Sequence, residues 1–94
     1  MHIASACYGS QDNGPMITGV SDALWNNKGA CGKSYKVTCI GGANKAPHPC
    51  KQGSVTVKVT DKCDDCNGDL NLSEEAFSAI ADTKAGIVQI RYDP

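Results

Sequence analysis

Two stretches of the chain alternate apolar and polar residues with the period of a half-buried β-strand. They are YKVTC at residues 35–39 and VTVKV at residues 55–59, and each predicts a strand with one face toward a core. The segment between them, GGANKAPHPCKQG at 41–53, is polar, and its two prolines exclude a central strand. A turn-forming stretch, SQDNGP at 10–15, precedes a further short apolar strand at 16–20.

Two short helices are predicted between and after these strands. The first covers SDALWNN at residues 21–27, with Ser21 or Asp22 as its cap. The second begins after a capping Ser73, and we expect Gly86 to end it. Helical spacing gives this second helix one apolar face, formed by Ala76, Phe77, Ile80 and Ala81.

The last residues, GIVQIRYDP at 86–94, return to strand-like alternation. Several short strands with two small helices predict a mainly β barrel or sandwich. No repeat or linker interrupts the pattern, so we expect a single domain over residues 1–94.

The size of the chain changes this picture by making a thick core impossible. A domain of 94 residues buries a modest share of its surface, and covalent links commonly compensate. The chain has six cysteines. An even number in a short chain, without paired zinc-type spacings, predicts three disulfides and an oxidising compartment. We therefore expect a secreted, apoplastic protein.

Charge and hydropathy exclude several classes of partner. The formal net charge is −1, and the basic residues are scattered, so no field attracts nucleic acid or an anionic membrane. No apolar stretch reaches the length of a membrane span, so we expect no membrane insertion. No signal peptide is visible, and we expect the chain to correspond to a mature form.

The chemistry that the sequence offers is concentrated in TDKCDDCNGDLNLSEEAF at residues 60–77. Its Cys63-x-x-Cys66 spacing allows a redox pair, but that needs a helix N-terminus at the first cysteine, and the predicted helix begins only near Ser73. The acidic neighbours Asp61, Asp64 and Asp65 also disfavour a reactive thiolate. We therefore interpret the pair as structural.

Metal sites are not predicted either. His2 and His48 stand alone, and zinc needs four ligands. A partial match to a calcium loop is contradicted by Cys63 in the first ligand position; it rests on Asp65, Asn67, Gly68, Leu70 and Glu74. We expect no metal or cofactor. The sequon Asn71-Leu72-Ser73 is better explained by the helix cap than by glycosylation.

Carboxylate catalysis on sugars needs two acids placed across one bond. Asp61, at the end of a predicted strand, is the best candidate for one of them. A second acid is not obvious, because Asp69 lies in a turn and Glu74 and Glu75 form the first turn of a helix. The residues alone therefore do not specify an enzyme.

Five segments together resemble the plant natriuretic peptide family, an expansin-like, EG45-type single domain. They are spread from residue 6 to residue 92 and contain five of the six cysteines: ACYG at 6–9, ALWNNKGACG at 23–32, YKVTCIG at 35–41, SVTVKVTDKCDDCNGDLNLSEEAFSAIA at 54–81 and AGIVQIRY at 85–92. The resemblance as a whole covers nearly the entire chain and includes the sixth, Cys50. The resemblance implies a six-stranded double-psi β-barrel, shared with barwin, expansin first domains and family 45 endoglucanases.

The resemblance also implies a function. Members of this family are secreted signalling proteins that change water and ion balance, act through a plasma-membrane receptor and raise cyclic GMP. In expansins an essential aspartate stands where this chain has Asn71. An amide cannot donate a proton as a carboxylic acid can. Asp61 and Asn71 are then vestigial positions, and we expect no catalytic residue.

Six cysteines can form disulfides in several different pairings, and the resemblance to this family suggests one of them from the order of the cysteines. The suggested pairs are Cys7–Cys31, Cys39–Cys50 and Cys63–Cys66. Signalling activity in the family resides largely in the part that matches residues 6–39. We therefore expect the receptor to contact this part, with the candidate residues Tyr8, Trp25, Lys33 and Tyr35.

One departure from the family concerns the N-terminus. Family members begin with a strand before the ACYG segment, and here only MHIAS precedes it. We expect a first strand to be missing or another segment to cover its place. An open sheet edge allows pairing with a second chain. We expect a monomer, with a strand-swapped dimer as the alternative.

Two alternatives to signalling remain open. The first is a protein that binds cell-wall polysaccharide without cutting it. The second is a barwin-like defence protein.

Overall fold

The chain forms one curled β-sheet with two short helices. The computed structural model describes residues 5–43, 48–64, 66 and 68–94. In chain order the elements are β1 (Ile17–Val20), α1 (Asp22–Trp25), β2 (Ser34–Gly42), β3 (Ser54–Lys62), β4 (Leu70–Leu72), α2 (Glu74–Ile80), a 3-10 turn (Thr83–Ala85) and β5 (Val88–Asp93). The predicted mainly β architecture with two small helices is confirmed.

The sheet has the strand order β4-β1-β3-β2-β5. Strand β1 pairs parallel with β3, and the other neighbouring strands are antiparallel. The two outermost strands approach each other, because the Tyr92 hydroxyl at the end of β5 donates a 2.9 Å hydrogen bond to Asp69 Oδ2, just before β4. The sheet is therefore curled into part of a barrel, and β4 and β5 are its two open edges.

Alternation places the apolar face of each long strand in the core, as the sequence predicts. One buried cluster fills the space between β2, β3 and α2, and consists of Val37, Cys39, Val57, Ala76, Ile80 and Ala81. A second, smaller cluster consists of Val20, Ala30 and Val59. Tyr35 and Leu70 pack against both clusters, so they join the two halves of a thin core.

Helix α2 begins where the sequence predicts and ends earlier. Ser73 is its N-cap, because Ser73 Oγ accepts a 3.2 Å hydrogen bond from the Ala76 amide. The helix ends at Ile80 and not near Gly86, since Ala81 becomes extended and forms a bridge with Cys50. Gly86, at φ 73°, instead ends the 3-10 turn.

Helix α1 is also shorter than predicted. It covers Asp22–Trp25, and Asn26 then takes a left-handed conformation at φ 52°. Ser21 occupies the N-cap position, but its side chain makes no capping bond; its Oγ is buried without a hydrogen-bond partner. Ser21 therefore holds the predicted cap position without a capping bond. Helix α1 is held by its packing, with Leu24 and Trp25 against the smaller cluster.

Two disulfides join the pairs Cys7–Cys31 and Cys39–Cys50. The expected Cys63–Cys66 disulfide is not formed in the structure. Cys66 carries a thiol whose Sγ lies 3.3 Å from the Gly68 carbonyl oxygen and 3.6 Å from that of Cys63. The sulfur is thus turned toward carbonyl groups of its own turn, which corrects the pairing expected from the family resemblance.

Several sequence-based expectations fall on residues that the structure does not describe. These include His2 and the other three residues before Ser5, where a first strand is expected to be missing. Asp65 and Asn67 of the rejected calcium loop also lie outside the described residues. Within the described part of the chain, no helix is long and apolar enough to cross a membrane.

Candidate functional site

An open groove of about 650 Å³ runs across the ends of β3, β1 and β4. Its described lining consists of Ser5 and residues 11–15, 17–19, 60–62 and 71–75. We refer to this cavity as the Asp61 groove. It contains both positions that the sequence singles out, Asp61 and Asn71.

Asp61 and Asn71 lie in one row across the sheet. Gly19 of β1 pairs with Asp61 on one side and with Asn71 on the other. Two strand spacings separate their Cα atoms, about 9–10 Å in a flat sheet. A Cβ added to Gly19 would lie 3.7 Å from Asn71 Cβ and 3.7 Å from the Asp61 carbonyl oxygen. Glycine at this position therefore leaves the floor between the two side chains open.

A β-bulge turns Asp61 toward the groove. The pairing of β1 with β3 shifts between Thr18 and Gly19, so Thr60 is skipped in the register. Thr60 is buried together with Val59, which breaks the alternation of β3. Strict alternation would have placed Asp61 on the core face, and the bulge places it at the groove instead. The sequence carries no simple signal for this shift.

Backbone groups fix the Asp61 carboxylate. Its Oδ1 accepts hydrogen bonds from the Lys62 amide at 2.9 Å and from the Ala6 amide at 3.1 Å. The second bond ties the segment before Cys7 to the end of β3. Sequence reasoning found Asp61 but did not identify Ala6 as its partner.

Asn71 supplies an amide where a second acid would be needed. It is the exposed middle residue of β4, between the half-buried Leu70 and Leu72. Its side chain can donate and accept hydrogen bonds but cannot deliver a proton as a carboxylic acid does. The pair across Gly19 therefore lacks the chemistry for two-acid glycoside cleavage.

Other carboxylates lie along the groove. Glu74 and Glu75, in the exposed first turn of α2, and Asp12, in the turn before β1, belong to its lining. Asp12 Oδ1 accepts a 2.8 Å hydrogen bond from the Gly14 amide. The groove is thus bordered mainly by negative charge, and its described lining includes no aromatic ring on which a sugar could stack.

Lys62 is the one lysine in the described lining, and its ammonium group is already occupied. Its Nζ lies 3.0 Å from Asp22 Oδ1 and 3.3 Å from Asp64 Oδ1. The hydrogen bond to Asp22, followed by that to Asp64, raises the pKa of Lys62. Lys62 therefore remains a cation that pairs with acids which do not line the groove.

A second, apolar cleft of about 960 Å³ lies between the two edge strands. Its described lining is dominated by apolar side chains, among them Ile40, Leu72, Phe77, Ile87 and Ile90. Ile40 is 59% exposed, because the register of β2 and β5 shifts next to it. Strand β4 separates this cleft from the Asp61 groove. The periodicity of the sequence predicts neither of these two cavities.

The four candidate receptor contacts lie in different environments. Lys33 is exposed. Tyr8 is half-buried beneath Lys58, whose Nζ lies 4.4 Å from the ring centroid. Trp25 packs against the smaller cluster, and the Tyr35 ring meets Tyr92 edge-on at 5.5 Å. Trp25 and Tyr35 therefore contribute to the core, whereas Lys33 and the edge of Tyr8 face outward.

The Cys7–Cys31 disulfide holds this region together. Cys7 donates from its amide to the Thr60 carbonyl at 3.1 Å, and Gly32 donates to the Val59 carbonyl at 3.0 Å. We refer to residues 5–9 and 24–33 as the N-terminal surface. It joins the end of β3 close to the Asp61 groove.

Two other residues that the sequence singles out, His48 for metal binding and Ser73 for glycosylation, lie apart from the groove or take part in the helix cap. Among the described residues, no group of three or more histidine, cysteine or acidic side chains is arranged to hold a metal. His48 is an exposed residue with φ 48°. Ser73 of the sequon uses its Oγ for the α2 cap and for a 2.6 Å bond to the Pro15 carbonyl, which agrees with its interpretation as a cap.

Comparison with known proteins gives consistent results. Residues 17–92 match a double-psi β-barrel family model with the description "Lytic transglycolase". The chain is 45% identical over 94 residues to an EG45-like domain containing protein of Citrus jambhiri, across 98% of this chain and 72% of that protein. It is 47% identical over 91 residues to EG45-like domain containing protein 2 of Arabidopsis thaliana, across 96% and 69%.

More distant similarity extends to expansins. Expansin-like B1 of Arabidopsis thaliana is 34% identical over 80 residues, which is 85% of this chain and 30% of that protein. No solved structure matches the chain. The family match spans all five strands of the curled sheet, and the predicted double-psi β-barrel class is confirmed. The chain therefore belongs to the EG45-like, expansin-related family of double-psi β-barrel proteins.

Proposed function

We propose that this protein is a secreted, non-catalytic signalling ligand that acts in the apoplast through a plasma-membrane receptor, raises cyclic GMP and changes water and ion balance. The observation that carries the proposal is the row Asp61–Gly19–Asn71. This row keeps Asp61 as one acid of a sugar-processing barrel, whereas Asn71 carries an amide at the position where such a barrel needs its second acid. A fold that keeps its site but loses a required acid is suited to recognition.

Two further features support an extracellular ligand. Two disulfides stabilise a thin core, and structural disulfides persist in oxidising compartments. One of them, Cys7–Cys31, fixes the N-terminal surface against β3. A surface that is rigid before binding loses less conformational entropy when a receptor binds.

The test is the cyclic GMP response of plant protoplasts to the purified protein. The exposed Lys33 side chain is the sharpest probe. The Lys33 backbone carbonyl accepts a hydrogen bond from the Val59 amide, and a change of side chain leaves this bond in place. We expect Lys33→Glu to lower the apparent affinity by about tenfold, since charge reversal at a contact commonly costs more than 1 kcal/mol. Lys84→Glu, an exposed lysine on the 3-10 turn, is the matched control and should respond like the wild type.

An absent response to the wild-type protein, or equal responses to both charge reversals, would contradict this assignment of the surface. Circular dichroism of the variants shows whether each keeps the fold. Protoplast volume, measured in the same samples, reports the water-balance effect separately from the second messenger.

The second candidate function is binding of a cell-wall polysaccharide in the Asp61 groove. It is favoured by the open, acid-bordered groove and by the similarity to expansins. We expect Asn71→Asp to place a second acid in the same row as Asp61, with two strand spacings between their Cα atoms. Inverting carboxylate pairs need room for a water molecule between the two acids, so this variant tests whether the row supplies it. If the groove still holds glucan, calorimetry detects saturable heat with both proteins, and only Asn71→Asp releases new reducing ends.

Absence of heat with cellulose and xyloglucan oligosaccharides would leave signalling as the better explanation. Tight glucan binding by the wild type, combined with protoplasts that do not respond, would favour the wall-binding function. The two candidates therefore predict opposite outcomes in the same pair of assays.

A further inference from the structure

The turn at residues 11–14 brings together the groups that an intramolecular amide reaction requires. Asn13 is followed by Gly14, which has no side chain to hinder attack by its own amide nitrogen and lies at φ 81°. The Gly14 N–H donates to Asp12 Oδ1 at 2.8 Å. On the other side, Lys58 Nζ donates to Asn13 Oδ1 at 2.9 Å. A base therefore contacts the nucleophile, and a cation contacts the oxygen of the carbonyl group whose carbon would be attacked.

We propose that Asn13 is a self-modification site, at which the folded protein deamidates its own side chain with Gly14 nitrogen as the nucleophile, Asp12 as the base and Lys58 as the oxyanion stabiliser. The Asn13 amide is also held in place, because its Nδ2 donates to the Gln11 carbonyl at 3.2 Å. This bond restricts rotation of the Asn13 amide, and such restriction lowers the entropic part of the barrier where it holds the reacting atoms close together.

The chemical steps balance with water as the only co-reactant. As Gly14 nitrogen bonds to Asn13 Cγ, its proton passes to the Asp12 carboxylate, and the negative charge that develops on Oδ1 is stabilised by the Lys58 ammonium. The Cγ–Nδ2 bond then breaks, and the nitrogen leaves as ammonia with the proton from Asp12. Water opens the cyclic imide and leaves aspartate or isoaspartate at position 13.

The product changes the charge next to Lys58. A carboxylate at position 13 forms an ion pair with the ammonium group, which is stronger than the bond to a neutral amide. The same ammonium lies 4.4 Å from the centroid of the Tyr8 ring, and Asn13 also lines the Asp61 groove. Deamidation therefore adds negative charge to the groove, next to the ammonium group that lies over Tyr8.

The experiment incubates the purified, folded protein at neutral pH and follows deamidation by peptide mass spectrometry. Trypsin places Asn13 in the fragment that ends at Lys28 and the chain's other Asn-Gly sequence, Asn67-Gly68, in the fragment 63–84. The two rates are thus measured separately. The same protein, reduced and unfolded in denaturant, gives the rate of Asn13 without the fold.

We expect Asn13 to react roughly tenfold faster in the folded protein than in the unfolded chain, a modest share of the effect that a positioned base supplies in enzymes. Lys58→Met and Asp12→Ala should each remove most of this acceleration. Lys36→Met removes a lysine from the neighbouring strand β2 and should leave the rate unchanged. Each variant must first show the circular dichroism spectrum of the folded wild type, because a variant that unfolds would lose the acceleration for that reason alone.

Equal rates in the folded and unfolded wild-type protein would overturn the proposal. So would a folded rate that Lys58→Met and Asp12→Ala leave unchanged. The assay measures a mass change at one residue, and it is therefore independent of whether the protein signals or binds glucan.

Discussion

Single glycines with left-handed backbone conformations determine how closely the N-terminal surface packs. Gly32 has φ 81°, and a Cβ built there would lie 2.8 Å from Tyr8 Oη. The residue follows Cys31, so its conformation positions the disulfide that joins the two parts of this surface. A side chain at this position would be strained by its backbone and would push against Tyr8.

We expect Gly32→Ala to lower the free energy of unfolding by about 1–3 kcal/mol, measured by urea denaturation. Gly41→Ala is the control, because Gly41 has open space around its Cβ position and no left-handed φ. It should change stability by less than about 1 kcal/mol. Equal losses at the two sites would show that the close approach to Tyr8 does not matter.

The outer strands β4 and β5 depend on contacts at their ends, since each pairs with only one neighbour in the described sheet. Strand β4 has three residues, and the backbone bonds Ser21 N to Asp69 O and Ser73 N to Ile17 O flank it. Tyr92 then links β5 to Asp69. This hydrogen bond raises the pKa of Tyr92 above its ordinary value of 10.0, with burial as the second cause. The hydroxyl group of Tyr92 thus helps to hold the two edges of the curled sheet together.

We expect Tyr92→Phe to lower the free energy of unfolding at neutral pH by about 1 kcal/mol, the net value of one hydrogen bond. Because the pKa of Tyr92 is higher in the folded state, its contribution is complete below about pH 10 and is lost as pH rises through the folded pKa. Urea denaturation from pH 7 to 11 should therefore show the difference between the two proteins narrowing at the alkaline end. Tyr35→Phe, in the same ring pair, is the control. A difference that stays constant with pH would contradict this account.

For the whole molecule, much of the fold could be predicted from local pattern. The long strands β2 and β3 and the start of α2 follow from alternation and from the Ser73 cap. The end of α2 could not be predicted, because it depends on the pairing of Ala81 with Cys50, thirty-one positions earlier in the chain. Strand β4 was missed for the same reason, since three residues carry no periodicity of their own.

The candidate site was predicted in part. Asp61 and Asn71 were identified from the sequence and the family resemblance, and the structure brings them into one groove. Their exposure on the same face depends on the bulge at Thr60, and a register shift between strands distant in the chain leaves no local signal. The turn that contains Asp12 was recognised as a turn, but its contact with Lys58 through Asn13 required the fold.

The central claim is that the protein acts by recognition through its N-terminal surface and that this recognition does not depend on the Asp61–Asn71 row of the groove. Gly19 offers a way to separate the two, because a larger side chain there fills the floor between Asp61 and Asn71. The measurement is the dose-dependent rise of cyclic GMP in protoplasts treated with wild type or with folded Gly19→Leu. We predict the same half-maximal dose for both proteins. A response that disappears when the groove is filled, or that the wild type fails to produce, would contradict the account.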